Sequence, residues 1–233
     1  MRLFKGMEAV AIDGPAGSGK STVSRLVAER LRFVYIDTGA MYRALTLKIM
    51  RNNVDFTEED TIVKFSEDID LKFVPPDLSE GPLRIMMDGE DVSSQIRRME
   101  VTTNVKHVAR LGRVRENLVR LQRQMVAGIK GAVMEGRDIT TVVLPNAKHK
   151  FYVDASFDER VRRRYEELQA GCSLVTLREV SDDLKQRDHA DKTRKIGPLK
   201  KADDAVYIDT TKMAIDEVVD KIVKYVKGGS SEI

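Results

Sequence analysis

The chain has 233 residues, 42% of them hydrophobic and 33% charged, with 40 basic and 37 acidic side chains for a formal charge of +3. That fits one large α/β domain with insertions or two small ones, and it excludes a disordered chain. One cysteine, Cys172, and three histidines exclude a disulfide framework, a thiolate zinc site and a His-rich metal centre.

Met7 to Asp13 is an apolar run that stops at a Gly/Pro cluster, which predicts a buried strand. The first residues, Met1–Gly6, lack the apolar core of a signal peptide, and no apolar run reaches the ~18 residues of a membrane span. The expectation is a cytoplasmic protein. Val23, Leu26, Val27 and Leu31 give helical spacing over 20–31, Phe33–Ile36 is a second strand, and Met41, Leu45, Leu47 and Ile49 predict a helix over 39–52. Strand, helix, strand, helix implies parallel pairing through crossover helices.

Residues 55–96 break this rhythm and carry 3 basic against 12 acidic groups, a net of 3 − 12 = −9. Asp70–Val74 and Leu83–Met87 are short strand candidates, separated by Pro75-Pro76 and Gly81-Pro82, and Asp88-Gly89 is a turn dipeptide leading to Val92. They predict a small antiparallel patch inserted in the chain. Residues 97–130 carry 9 basic and 2 acidic groups, a net of 9 − 2 = +7, and Met99–Gly131 reads as one or two helices. Such a block is either a solvated helix face or part of an anion site.

Ala132–Met134 and Phe151–Val153 resume the strands, Phe157–Ala170 and Leu174–His189 are polar helices, Ala205–Ile208 is a last strand and Met213–Val226 a last helix. The tail from Gly228 reads as flexible.

Gly14-Pro15-Ala16-Gly17-Ser18-Gly19-Lys20-Ser21 matches G-x-x-x-x-G-K-[ST] between a predicted strand and a predicted helix. Glycines let backbone N–H groups curl round a phosphate, and the helix offers its positive end. Lys20 is the candidate for the β- and γ-phosphates and Ser21 for Mg²⁺. No N-K-x-D stretch follows, as a GTPase would need, and Val10–Asp13 precedes the loop, which misplaces it for the acidic strand end of an ATPase motor. A small-molecule kinase fits best.

Candidate acceptor-site residues cluster at strand ends or in charge-dense stretches. Asp37-Thr-Gly-Ala-Met-Tyr-Arg43 opens a helix, with Thr38 as the expected N-cap, and Gly136-Arg137-Asp138 follows a strand. Arg113 and Arg115 lie in the basic block, Arg160, Arg162, Arg163 and Arg164 follow the Phe151–Val153 strand, and Arg187 to Arg194 reads as a charged loop. Fixed cations offset the repulsion between a γ-phosphoryl group and a phosphate acceptor. Such an acceptor is already ionised and needs no general base, so His107, His149 and His189 read as structural or surface groups.

Ile12 to Thr22, Asp37 to Arg43, Gly89-Glu-Asp-Val92 with Ile96-Arg97, Arg113-Val-Arg115, Glu135-Gly-Arg-Asp138 and Arg187-Asp188…Asp191…Arg194 occur in that order. Across nearly its whole length the chain resembles the bacterial cytidylate kinases. The resemblance implies a P-loop NTPase fold with a mostly parallel central sheet flanked by helices. The core would be 1–54, 98–155 and 181–233, the antiparallel nucleoside-monophosphate insert 55–97 and a short helical lid 156–180. It implies transfer of the γ-phosphoryl group of ATP to CMP or dCMP by a monomer with Mg²⁺, without nucleic-acid or membrane partners.

By position, Gly14 to Gly19, Lys20, Ser21 and Thr22 would bind ATP, with Ser21 also on Mg²⁺. Thr38, Arg43, Arg137 and Arg194 would bind the acceptor phosphate, Tyr42 would belong to the acceptor site, Arg113 and Asp138 would read cytosine, and Arg187 and Asp191 would meet the ribose. Lys20, Arg137, Arg160 and Arg164 would act on the transferring group. A carboxylate accepts from the cytosine amino group but meets a carbonyl oxygen in uracil, which favours discrimination. Two positions depart from the family pattern. Lys106 stands where some members have a serine. Thr140 stands where glycine is usual, and a positive φ there would strain a β-branched residue. Two other readings stay open: a P-loop kinase for a different nucleotide or metabolite, and a nucleic-acid-binding protein using the basic block, against which stand the near-neutral charge and the 6% aromatic content.

Overall fold

The computed structural model describes residues 8–74, 83–170 and 174–228. Met1–Gly6, Met7, the Pro75-Pro76 and Gly81-Pro82 breaks, Cys172 and the tail beyond Gly228 lie outside the described residues. The chain divides into two compact units, Met1–Ile36 with Val126–Ile233, and Asp37–Met125.

The first unit is built on a five-stranded sheet. Its strands are β1 (Glu8–Asp13), β2 (Val34–Asp37), β6 (Gly131–Gly136), β7 (His149–Asp154) and β8 (Val206–Asp209), in the order β2-β6-β1-β7-β8. β1 pairs in parallel with β6 on one side and β7 on the other, and β7 pairs in parallel with β8. The central strand is covered on both faces, so β1 is a continuous apolar run rather than an alternating one.

Helices α1 (Lys20–Leu31) and α8 (Ile215–Val226) pack on this sheet. Val23 and Val27 of α1 and Val218, Val219 and Ile222 of α8 join Val10, Ile12, Val133, Phe151 and Ile208 in one buried cluster. Two further helices, α6 (Phe157–Ala170) and α7 (Leu177–Thr193), pack on each other through Val161, Val180 and Leu184, and Ala16 of the Gly-rich loop joins their cluster. A capping box between Thr176 and Glu179 starts α7.

The second unit comprises α2 (Thr38–Arg51), α3 (Glu59–Asp68), the antiparallel strands β3 (Leu71–Val74), β4 (Arg84–Met87) and β5 (Glu90–Asp91), α4 (Met99–Ala109) and α5 (Gly112–Val126). Asp88 (φ 50°) and Gly89 (φ 86°) turn β4 into β5, the left-handed pair of a two-residue hairpin. Its core runs through Met41, Leu45, Ile49, Ile62, Ile85, Val92, Ile96, Val101, Val114 and Leu118.

Two expectations change. The acidic segment holds a helix, α3, besides the strands, and α7 runs on past His189 to Thr193 through part of the stretch expected as a loop. The basic segment forms two helices, α4 and α5, within the one or two expected. Among the described residues no helix is long and apolar enough to cross a membrane.

Candidate active site

The Gly-rich loop leaves β1 at the carboxyl edge of the sheet. A Cβ on Gly14 would stand 2.0 Å from the Val153 carbonyl oxygen, so only glycine lets the loop start this close to β7. Gly19 has φ 84°, a left-handed conformation that points the chain into α1. Lys20, the first residue of α1, is buried and donates from Nζ to the Pro15 carbonyl at 3.0 Å. Burial and the nearby Arg137 lower its pKa to about 7, against the pull of Glu135 and Asp191.

Ser21 donates from Oγ to Glu135 Oε2 at 2.9 Å. Glu135 also accepts from the Tyr35 hydroxyl. Glu135 is buried near the carboxyl end of β6, the strand beside β1. Its signal is legible in the sequence: Ala132-Val-Met-Glu135 is an apolar strand ending in an acid that lies after the loop, unlike Val10–Asp13. Asp13 has a different task. Fully buried, it accepts from the Ile139 and Thr140 amides at 2.8 Å each and from the Thr140 hydroxyl at 2.6 Å. Burial pushes its pKa up to about 6, opposed by these hydrogen bonds. Positive φ outside glycine occurs, among the described residues, only at Arg32, Asn53 and Asp88, so Thr140 carries no left-handed strain.

Arg137, Asp138, Asp191 and Arg194 come together. Asp191 Oδ2 accepts from Arg137 Nε at 2.8 Å, and Asp191 Oδ1 accepts from Arg194 Nη1 at 3.1 Å. Burial pushes the Asp191 carboxyl up, but Arg137 and Arg194 outweigh it and hold the group below the ordinary range. Arg194 Nη2 lies 3.9 Å from Asp138 Oδ1, and Arg187 Nη1 lies 3.7 Å from Asp183 Oδ2. Burial, with Arg137 nearby, lowers the Arg187 pKa. α7 and its C-cap explain the clustering: positions 187, 191 and 194 are four and three apart, so they share one side of the helix.

The arginines of α6 divide. Arg160, expected over the transferring group, is instead buried and committed. It donates to the carbonyls of Ala155 and Ala16 and, at 2.7 Å, to Asp188 Oδ2. Arg163, which had no assigned role, donates to Ser18 and Thr210 oxygens beside the loop. Arg164 pairs with Glu167 at 2.8 Å and acts on Arg187 through space.

In the second unit the N-cap of α2 is Asp37, not Thr38. The Asp37 carboxylate accepts from the Ala40 amide at 3.0 Å and from Arg43 Nη2 at 2.7 Å, while Thr38 is the buried first residue of the helix. A carboxylate one residue earlier reaches the third amide of the helix, which is the capping geometry. Burial pushes Asp37 up, and Arg43, the Ala40 amide and Arg97 bring it below the ordinary range. Arg113 is 66% exposed and pairs with Asp60 at 3.3 Å. Arg115, two residues on, is 2% exposed and lies over the buried Tyr42 ring, 5.2 Å from its centroid. His107 stacks on Phe56 and His149 is buried against Tyr225, as expected of structural histidines.

A family model described as cytidylate kinase matches residues 10–228. The cytidylate kinase of Alkaliphilus oremlandii is 46% identical over 219 residues, 94% of this chain and 97% of that protein. That of Caldanaerobacter subterraneus is 45% identical over 218 residues, 94% of each. That of Limosilactobacillus reuteri is 44% identical over 232 residues, 99% of this chain and all of that protein. Matches of this extent cover nearly the whole chain, and the chain belongs to the cytidylate kinase family.

Proposed function

We infer that the protein transfers the γ-phosphoryl group of ATP to CMP or dCMP, giving ADP and CDP or dCDP. The family match carries this reading, and the grouping of Arg137, Asp138, Asp191 and Arg194 beside the phosphate loop supports it. Residues 14–19, Lys20, Ser21 and Thr22 hold the ATP phosphates. Arg137 and Arg194 take the acceptor phosphate and Asp138 takes the cytosine amino group, while Arg187 and Asp191 meet the ribose. Thr38, Tyr42 and Arg43 are further residues assigned to the acceptor. For cytosine, burial against Tyr42 gives Arg115 a stronger claim than the exposed Arg113. Arg164 and Lys20 act on the transferring group, and Arg160 supports the loop from behind.

Mg²⁺ suits the oxygens of Ser21 and Glu135, hard donors 2.9 Å apart, and bound there with the nucleotide it supplies charge neutralisation at the phosphates. Catalysis by the chain is then positioning and electrostatics: the guanidiniums hold two anions together and offset the charge that spreads as the phosphoryl group moves. In this reading the enzyme is a cytoplasmic monomer with core, insert (55–97) and lid (156–180). A coupled ADP-release assay with ATP, Mg²⁺ and each nucleoside monophosphate tests it. Turnover of CMP and dCMP is expected; turnover of AMP or UMP alone overturns it.

A further inference from the structure

Thr140 is buried at the start of a wide helical turn, Ile139–Val143, that directly follows Arg137 and Asp138. Beside its amide, Thr140 offers a hydroxyl that donates to Asp13 Oδ2 at 2.6 Å, the length of a charge-assisted O–H···O⁻ bond. Asp13 is the last residue of β1 before the phosphate loop. Its two oxygens therefore receive three donors, Ile139 N on one and Thr140 N and Oγ1 on the other.

The turn is fixed at both ends. Its leading amides, which a helical turn leaves without internal partners, are capped by a carboxylate from another strand. Its first carbonyl, that of Asp138, accepts from Val142 N at 2.8 Å and Val143 N at 3.1 Å. Threonine is also stiff about χ1, so its hydroxyl is held ready for Asp13. The residues immediately before this anchored turn are Arg137 and Asp138. Arg137 is restrained further by Asp191.

We propose that Thr140 is a positioning residue: its hydroxyl, bonded to Asp13, locks the loop bearing Arg137 and Asp138 to the strand that feeds the phosphate loop, and so sets acceptor affinity and selectivity. This rests on the acceptor roles proposed above for Arg137 and Asp138. Thr140 touches no reacting atom; it acts through its two neighbours.

The test compares Thr140→Ala, Thr140→Val and Thr140→Ser with the unaltered enzyme. Valine keeps the shape without the hydroxyl, and serine keeps the hydroxyl. Alanine and valine are expected to raise the KM for CMP about tenfold, equivalent to ~1.4 kcal/mol. The KM for ATP stays within about twofold, and the preference for CMP over UMP falls by a similar factor of about ten. Serine restores all three. Amide hydrogen exchange at 139 and 140 quickens in the alanine and valine variants. Unchanged KM and selectivity in folded valine and alanine variants overturn the proposal, as does a fall in melting temperature alone. If the unaltered enzyme ignores CMP, the function reading fails with the selectivity part; exchange rates that do not respond to loss of the hydroxyl refute the lock itself.

Discussion

Arg160→Met separates a supporting arginine from a catalytic one. The Arg160 side chain is 7% exposed and donates to Ala155 O at 3.2 Å, Ala16 O at 3.0 Å and Asp188 Oδ2 at 2.7 Å. Methionine replaces much of the aliphatic stem, so the loss is polar. It leaves the Asp188 carboxylate, itself largely buried, without its cation. Breaking one side of such a pair costs about 3–5 kcal/mol. For a chain of this size each kcal/mol lowers the melting temperature by roughly 2–4 °C, so a cost of about 4 kcal/mol predicts a fall of roughly 8–16 °C. Adding Asp188→Leu removes the stranded charge, and the double variant is expected to recover part of the loss. Thermal unfolding followed by circular dichroism measures both, with turnover taken at a temperature where every variant is folded. A melting temperature unchanged in Arg160→Met, with turnover down about a thousandfold, would return Arg160 to the transferring phosphoryl group and refute the reasoning.

Arg115→Met is expected to lower kcat/KM for CMP by roughly 10- to 100-fold, the loss of a hydrogen bond from a charged group, and Arg113→Met, on an exposed pair, by no more than about twofold; parallel kinetics decide, and the reverse order would restore Arg113 as the cytosine reader. Glu135→Gln keeps the shape but removes the charge beside Ser21, so half-maximal turnover should need more Mg²⁺; a titration curve that does not move would sink that assignment. Asp13 has a folded pKa raised from 3.8 to about 6, so the folded state holds the proton more tightly and ionisation costs stability as the pH rises through that window. The stability of the unaltered protein relative to Asp13→Asn therefore increases as the pH is lowered from about 6 to 3.8, read by denaturant unfolding at each pH; a difference independent of pH refutes this.

Local signals made much of the fold legible. The helix over 20–31 has the bounds of α1, because a Gly-rich loop ends where helical apolar spacing begins. Asp88-Gly89 marked its hairpin, because left-handed backbone needs those residue types. α3 escaped because its core-facing residues, Ile62, Val63, Phe65 and Ser66, sit close together amid a dense acidic run. The C-terminal part of α7 read as a loop because no apolar residue larger than Ala190 falls between Leu184 and Ile196; ion pairs at Asp188 and Asp191 take the place of an apolar stripe.

In the site, the Gly-Arg-Asp stretch and the family resemblance pointed to Arg137, Asp191 and Arg194, while the tertiary partners of each stayed hidden. Arg113 and Arg115 are equivalent in sequence, and only packing against Tyr42 tells them apart. Asp37 and Thr38 are both good caps, and the choice between them depends on where the strand stops.

The guanidiniums on and beside the α7 face are not bare charges. Asp191 already sits between Arg137 and Arg194, and Asp183 lies near Arg187. An arriving phosphate exchanges one counter-charge for another instead of neutralising a naked cluster. Shape and bond direction then supply more of the recognition than net charge does. Affinity for a small spherical anion is correspondingly low, and the dependence of CMP affinity on ionic strength is shallower than three unpaired arginines would give, which titrations at low and high salt would display. With the acceptor roles proposed above, internal carboxylates would favour a ligand that can re-pair several arginines at once.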